Sequence, residues 1–407
     1  YHPKIHLLLV PYSISPVVAQ LTKGSDMELD LSHPSIEDLR HAARKRIPKF
    51  AFEYLDSATG RELGLKVNRE ALDAIGFMPS VLCGRTRANL QTTLMGQTYD
   101  LPFGIAPVGM SGLMWAGAER MLAQAAVAHN IPFSLSSVGV ASPEDVAPHI
   151  GNNGWFQHYP VNSADLRRKM LPRIKAAGFH TLIITVDVPE ESRRERQRRA
   201  NLTVPPKTDL RTLTAMALRP AWCLAQLREG TVPRMRFFDD YVPTKGRESF
   251  THAGALIRGI PDWQYLRDLR QEWDGKLIVK GVLRPTDAKR MASEGVDCIW
   301  VSNHSGRQFE AGPAVIEQLP KIREAVGSDL PLIYDSGVAW GLDVMRALAK
   351  GADYVMVGRA FQYAVAAFGA RGIDHLVHIL KSDITANMSQ LGVEDINQLS
   401  DYLLKSD

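Results

Sequence analysis

Cysteine is scarce in this chain: only Cys83, Cys223 and Cys298 occur in 407 residues, and no CxxC pair is among them. That argues against a disulfide framework and a cysteine-based zinc site, so no metal is expected, and it favours a reducing compartment. No GxGxxG turn follows an early strand, so the nicotinamide-dinucleotide fingerprint is absent. Charge is nearly balanced, with 48 Lys and Arg against 44 Asp and Glu. A formal +4 is too small to argue for nucleic acid. The apolar stretch at residues 5–21 is interrupted by Pro11 and Pro16, too short and too broken for a membrane-spanning helix, and it shows no clear signal-peptide cleavage site. Residues 1–30 are therefore expected to be an added extension, much of it ahead of Met27.

What is present is length enough for two or three average domains, or for one barrel with additions, and for a core that needs no staple. Ser35-Ile-Glu-Asp38 reads as a capping box that opens a helix ended by Pro48. A second helical stretch at 49–56 carries Tyr54. From residue 100 one unit repeats: a short apolar run, a polar or glycine-bearing end, then a helical stretch. The runs lie at 102–108, 132–137, 155–159, 181–187, 276–281, 298–303, 331–337 and 354–359. Eight buried strands alternating with helices predict an α/β fold, a (β/α)8 TIM barrel spanning 31–407 with an N-terminal helical segment. A doubly wound sheet usually has fewer strands. The rhythm breaks after the fourth strand, where 188–262 form a long insertion. Its middle is apolar, with Met216, Trp222 and Leu224, and is flanked by Arg211, Arg219, Arg228, Arg234 and Arg236. Two readings stand: a lid packed on the barrel, or a basic-aromatic surface for a membrane.

In such a barrel the chemistry sits at the C-terminal ends of the strands. The sixth strand ends in VSNHSGRQ, which places Ser302, the titratable His304 and the carboxylate-binding Arg307 in one turn. Asp187 ends the fourth strand and is suited to orient His304 and stabilise its imidazolium. Arg194, Tyr54 and Tyr159 offer further contacts to a carboxylate or hydroxyl. The rest of the basic run 193–199 reads as a solvated helix face. The last two strands end in DSGVAWG and VGR, each followed by a helix. Asp335, Gly337, Gly358 and Arg359 thus mark a phosphate site of the kind barrels build there. Ser136, Gln157 and Thr185 end earlier strands, where they suit a polar heterocycle. Lys280 ends the fifth, where a cation stabilises an anionic reduced ring.

These motifs resemble the FMN-dependent 2-hydroxy acid dehydrogenases and oxidases. The likeness runs from about Ser35 to the C-terminus, through FEYLDSATG, IAPVGMSGLMW, FSLSS, WFQHY, TVDVP…SRRE, VKGVL, SNHSGRQ, DSGV and VGR. The resemblance implies FMN as cofactor, His304 as active-site base with Asp187 as its partner, and Arg194, Arg307, Tyr54 and Tyr159 as substrate ligands. It implies Pro107, Val108 and Gly109 beside flavin N5, Lys280 near N1 and O2, and Ser136, Gln157, Thr185 and Ser302 on the ring or ribityl chain. Asp335, Gly337, Gly358 and Arg359 would form the ribityl and phosphate cradle. Four residues depart from the pattern: Ser305 replaces a glycine and should tighten its turn, and Ala339 replaces a phosphate-binding arginine, leaving that task to Arg359 and backbone. His158 stands where an apolar residue is usual, and Val138 where some members carry an aromatic.

The implied activity is oxidation of an (S)-2-hydroxy acid, lactate- or mandelate-like, with electrons passed to a quinone or cytochrome. Alternatives are an oxygen-using oxidase that releases hydrogen peroxide and, from another class, a flavin-binding scaffold without catalysis. The resemblance also implies a homotetramer, a cytoplasmic location and peripheral contact with the inner face of the membrane through the insertion.

Overall fold

The structure, a computed structural model, describes residues 24–84, 87–202, 209–230, 233–242, 256 and 259–404. Eight strands form the centre: β1 (Phe103–Ile105), β2 (Phe133–Ser136), β3 (Gly154–His158), β4 (Thr181–Thr185), β5 (Lys276–Val282), β6 (Cys298–Val301), β7 (Leu332–Tyr334) and β8 (Tyr354–Val357). All pair in parallel, and β8 closes on β1 with Val355 opposite Phe103. Each strand overlaps an apolar run read from the sequence, and the (β/α)8 TIM barrel is the fold.

The runs are apolar without alternation because both faces of each strand are buried. Ile183, Ile278, Trp300, Ile333 and Met356 point into the barrel. Their neighbours Leu182, Leu277, Ile299, Leu332 and Val355 pack outward under the helices. A short hairpin, Thr92–Leu94 with Gln97–Tyr99, plugs the N-terminal end. Its Tyr99 ring lies 6.4 Å from Trp155 and 5.5 Å from Tyr354. With that end closed by aromatic rings, the opposite mouth is left for the site.

The helical segment before the barrel begins at Gly24–Ser32, inside the stretch set aside as an extension. That helix packs against the long helix Ala370–Leu391, and its Leu29 is buried. Ser35 and Asp38 form the expected capping box of Ile36–Arg46. The described part of the insertion contains the helices Glu195–Arg199, Leu210–Ala217 and Pro220–Glu229. Trp222 anchors the last of these: it is buried, its Nε1 donates to Leu113 O at 3.0 Å, and its ring meets Phe50 edge-on. One side of the insertion therefore packs as a lid on the loop after β1.

A buried carboxylate joins these additions to the barrel. Asp56 accepts two hydrogen bonds from Arg40 (2.6 and 3.0 Å), one from Arg196 (2.7 Å) and one from Tyr363 (2.8 Å). Arg196 also pairs with Glu53 at 2.6 Å and Glu62 at 3.2 Å. The expected solvated face of 193–199 is thus corrected at Arg196, because three acidic partners from the N-terminal segment meet it. Burial alone would raise the Asp56 carboxyl, but Arg40, Arg196 and Tyr363 hold it well below the ordinary carboxylate range. A group so depressed stabilises the fold above its unfolded pKa and loses that contribution as pH falls. Asp56→Ala should cost roughly 2–3 kcal/mol in urea unfolding at pH 7, less than a fully buried ion pair because both arginines reach water. The gap from wild type should shrink as pH drops through the carboxylate range; a gap that widened would contradict this account.

Candidate active site

The mouth of the barrel holds a cavity of about 460 Å³. Its wall takes in Tyr54, Tyr159, Arg194, Arg307, His304, Lys280, Pro107, Val108, Gly109, Asp335, Gly337, Gly358 and Arg359. Most of the sequence-predicted site is thereby brought together. Five candidates are placed behind the wall. Asp187 lies under His304, Ser302 under the turn, and Ser136, Gln157 and Thr185 form a buried chain across β2, β3 and β4. In that chain Ser136 Oγ donates to Gln157 Oε1 at 2.7 Å, and Gln157 Nε2 donates to Thr185 Oγ1 at 3.0 Å.

His304 Nδ1 meets Asp187 Oδ1 at 3.2 Å. Gly281 makes this approach possible, since at φ +104° a Cβ there would lie 2.6 Å from Asp187 Cβ. Burial lowers the pKa of His304, Asp187 opposes that drop, and the Lys280 charge adds to it; the net shift is downward. Burial would raise Asp187, but the charge and hydrogen bond of His304, with Lys280, keep it below its usual value. The shifts favour the neutral imidazole on one side and the ionised carboxylate on the other, the tendency that suits a general base and its partner.

Facing it are the two guanidinium groups. Arg307 Nη1 donates to the carbonyls of Leu55 (3.1 Å) and Ser57 (2.8 Å), and its guanidinium lies 5.6 Å from the centre of the Tyr54 ring. Arg194 Nε donates to Ser192 Oγ at 3.1 Å, and that hydroxyl donates to Arg307 O. Burial and then the neighbouring Arg194 charge push Arg307 down to about 9. Tyr159 is pushed up by burial and by Asp187, so it stays a hydrogen-bond donor.

Lys280 Nζ donates to Ser302 Oγ at 2.7 Å and pairs with Asp335 at 3.1 Å. At the far end, Gly358 opens the ten-residue helix Arg359–Phe368, which has no side-chain cap and no acidic residue in its first turn. Its N–H groups and Arg359 suit a phosphate. The helix after β7, Gly341–Ala349, differs. Asp343 already accepts from Ala339 N (2.9 Å) and Trp340 N (3.1 Å), and is itself paired with Arg69 and Arg346. Asp343 thus occupies the helix start after β7, whereas the helix start after β8 has no such carboxylate.

Several contributors were not singled out from sequence. Asn68, on the helix Leu63–Asp73, exchanges two hydrogen bonds with Asn303 (2.9 and 3.0 Å) and accepts from Val315 N. Gly64 and Gly306 pack backbone to backbone, where either Cβ would come within 2.9 Å of the other segment. Ser192 links the two arginines, and Glu119 accepts from Gly112 N and Val140 N to tie the loops after β1 and β2. The hint for Asn68 was a polar residue within a helix that otherwise offers an apolar face. Ser305 takes φ 55°, between His304 at 56° and Gly306 at 68°; its turn is left-handed throughout.

The FMN-dependent dehydrogenase family matches residues 43–406. The L-lactate dehydrogenase of Vibrio cholerae serotype O1 is 37% identical over 371 residues, covering 90% of this chain and 98% of that protein. The crystal structure of a monotopic membrane protein, (S)-mandelate dehydrogenase, superposes with a TM-score of 0.86 at 33% identity, covering 91% of this chain and 99% of that one. A lactate oxidase of Pediococcus acidilactici superposes at 0.78 with 26% identity, covering 92% and 95%.

Titrating the His304 ring by NMR should find a pKa below the ordinary histidine value of about 6.5. Asp187→Asn removes an opposing charge and should lower it further. A ring that titrates higher in the variant would overturn the assigned pairing.

Proposed function

The chain belongs to the FMN-dependent dehydrogenase family, and from that membership we propose that it oxidises an (S)-2-hydroxy acid of the lactate or mandelate type to the 2-oxo acid. The observation that carries this is the half-buried pair of arginines, Arg307 and Arg194, lining the same cavity as His304, which is backed by Asp187.

FMN is the family's cofactor, and the donor set fits it. An uncapped helix start with Arg359 suits the phosphate. Lys280 lies on the wall where a ring would need a cation, and Gly337, at φ +98°, brings backbone to the cavity. Bound FMN supplies the two-electron acceptor. The protein's own groups do the remainder. Arg307 and Arg194 grip the substrate carboxylate through paired hydrogen bonds. Tyr54 and Tyr159 donate to the carboxylate or hydroxyl. His304 takes a proton at the ring nitrogen not bonded to Asp187, and Asp187 stabilises the resulting imidazolium.

The acceptor is read as a quinone or cytochrome rather than oxygen. What supports this is Gly109, where a Cβ would sit 2.6 Å from Val138 Cγ2 and 3.1 Å from the Tyr54 hydroxyl. The chain carries glycine there, as mandelate-type dehydrogenases do. A flavin-binding scaffold without catalysis would have no reason to keep the His304–Asp187 pair and both arginines. Assembly as a homotetramer in the cytoplasm, touching the inner membrane face, belongs to the same reading. Among the described residues no helix is long and apolar enough to cross a membrane. Contact through the insertion is supported by Leu210, Leu213, Leu218 and Leu227, all exposed and interspersed with Arg211, Arg219 and Arg228.

Anaerobic L-lactate or (S)-mandelate should bleach the flavin of the holoenzyme. His304→Asn should keep FMN but slow bleaching by about 10³-fold, within the span of general-base effects. The bleached enzyme should recover its colour faster with a quinone analogue than with air. Rapid bleaching by the variant would sink the role of His304, and fast peroxide formation would reverse the choice of acceptor. Vesicles rich in anionic lipid should co-sediment with the protein, and less so after Leu213→Glu with Leu227→Glu; equal binding by both proteins would remove the insertion from that contact.

A further inference from the structure

The turn that carries His304 is unusual in its backbone. His304, Ser305 and Gly306 all have φ between 55° and 68°, a run that only the glycine adopts without strain. Something must hold the other two, and the bonds made by the turn's N–H groups show what does. His304 N donates to Ser302 Oγ at 3.0 Å, and Gly306 N to Asn303 Oδ1 at 3.0 Å. Asn303 N (3.3 Å) and Ser305 N (3.0 Å), one on each side of His304, both donate to a single atom, Ser336 Oγ.

Ser336 lies 32 positions further along the chain, just past the end of β7, and is 3% exposed. It too is strained, at φ 84°. Its hydroxyl has one proton to give and two lone pairs to offer. The proton goes to Asp335 Oδ1 at 2.6 Å, and the two backbone N–H groups take the lone pairs. Asp335 in turn pairs with Lys280, Lys280 donates to Ser302 Oγ, and Ser302 Oγ accepts from His304 N. The bonds close into a ring, Asp335–Ser336–turn–Ser302–Lys280–Asp335, with the backbone of the base inside it.

We propose that Ser336 is a positioning residue for His304: its hydroxyl clamps the catalytic turn from both sides and fixes the direction in which the imidazole faces the substrate. This deepens the function proposed above and rests on His304 being the base. The clamp also accounts for Ser305. A serine at a left-handed position is held there by its N–H to Ser336 and by Arg359 Nη2, which donates to Ser305 O at 3.2 Å. It further links the base to the cofactor-side cation, because Asp335 serves both Ser336 and Lys280.

Ser336→Gly separates a positioning role from a structural one by the rate per folded enzyme. Glycine relieves the positive φ at this position, which offsets part of the cost of the lost hydrogen bonds, and a residue present only for the fold should leave the bleaching rate of folded, FMN-loaded enzyme unchanged. Loss of the hydroxyl leaves two N–H groups beside His304 without their acceptor and lets the turn drift. The variant holoenzyme is expected to bind FMN, to melt near the wild-type temperature, and to keep its KM for the hydroxy acid. Its anaerobic bleaching rate at saturating substrate should fall about tenfold or more, as misplacement of a reacting group does. Ser336→Ala should show the same loss of rate with a lower melting temperature, because alanine keeps the strain.

A Ser336→Gly enzyme that bleaches at the wild-type rate would overturn the clamp while leaving the proposed function intact. So would one whose bleaching falls only in proportion to lost FMN or lost folded protein, since the clamp sets the rate per folded, FMN-loaded enzyme. A wild-type holoenzyme that no 2-hydroxy acid bleaches would overturn the function itself, and the clamp with it.

Discussion

The site depends on a half-buried positive charge held by neutral oxygens. Arg307 is fixed by the carbonyls of Leu55 and Ser57, not by a carboxylate, and its neighbour Arg194 is a second cation. Desolvating a guanidinium under those conditions is unfavourable, and burial with the Arg194 charge pushes Arg307 down from its ordinary value. Such an arrangement persists only where surrounding structure enforces it, and it is relieved when an anion enters. Under the proposed function a substrate carboxylate would be that anion, and it would complete the electrostatics of the cavity.

Enforcement comes from outside the barrel. The carbonyls that hold Arg307 belong to the end of the helix Lys49–Asp56, and that helix is anchored by Asp56 to Arg40, Arg196 and Tyr363. Helix Leu63–Asp73 follows directly, and its Asn68 and Gly64 dock on Asn303 and Gly306. The N-terminal segment therefore does more than cover a barrel end. It supplies one wall of the substrate cavity and braces the turn that carries the base. A loss in that segment would be felt as a loss of geometry at His304 and Arg307, although neither residue lies in it.

Much of this was legible in the chain. The eight apolar runs sit on eight strands because burial on both faces removes alternation and leaves short continuous runs with polar ends. For the same reason, residues at the ends of those runs, such as His304, Asp187, Lys280 and Arg307, were visible as a set. What was not legible depends on contacts far apart in sequence. Asn68 looks like an ordinary helix polar residue until Asn303, 235 positions away, is placed against it. Arg196 reads as solvated because nothing in the basic run reveals that Glu53, Asp56 and Glu62 will surround it. The turns after β7 and β8 look alike as glycine-bearing loops, yet Asp343 fills one helix start and leaves the other free.

That last difference orders the cavity. Arg307 and Arg194 follow β6 and β4, Lys280 ends β5 between them, and Arg359 with the uncapped helix start follows β8. Around the closed barrel, the positive groups thus fall on two sides, one at strands four to six and one at strand eight. The β7 turn between these sides contributes no open helix start. It contributes Asp335 and Ser336, which connect Lys280 to the His304 turn. The His304 turn is bonded to both sides, through Ser302 to Lys280 and through the Ser305 carbonyl to Arg359.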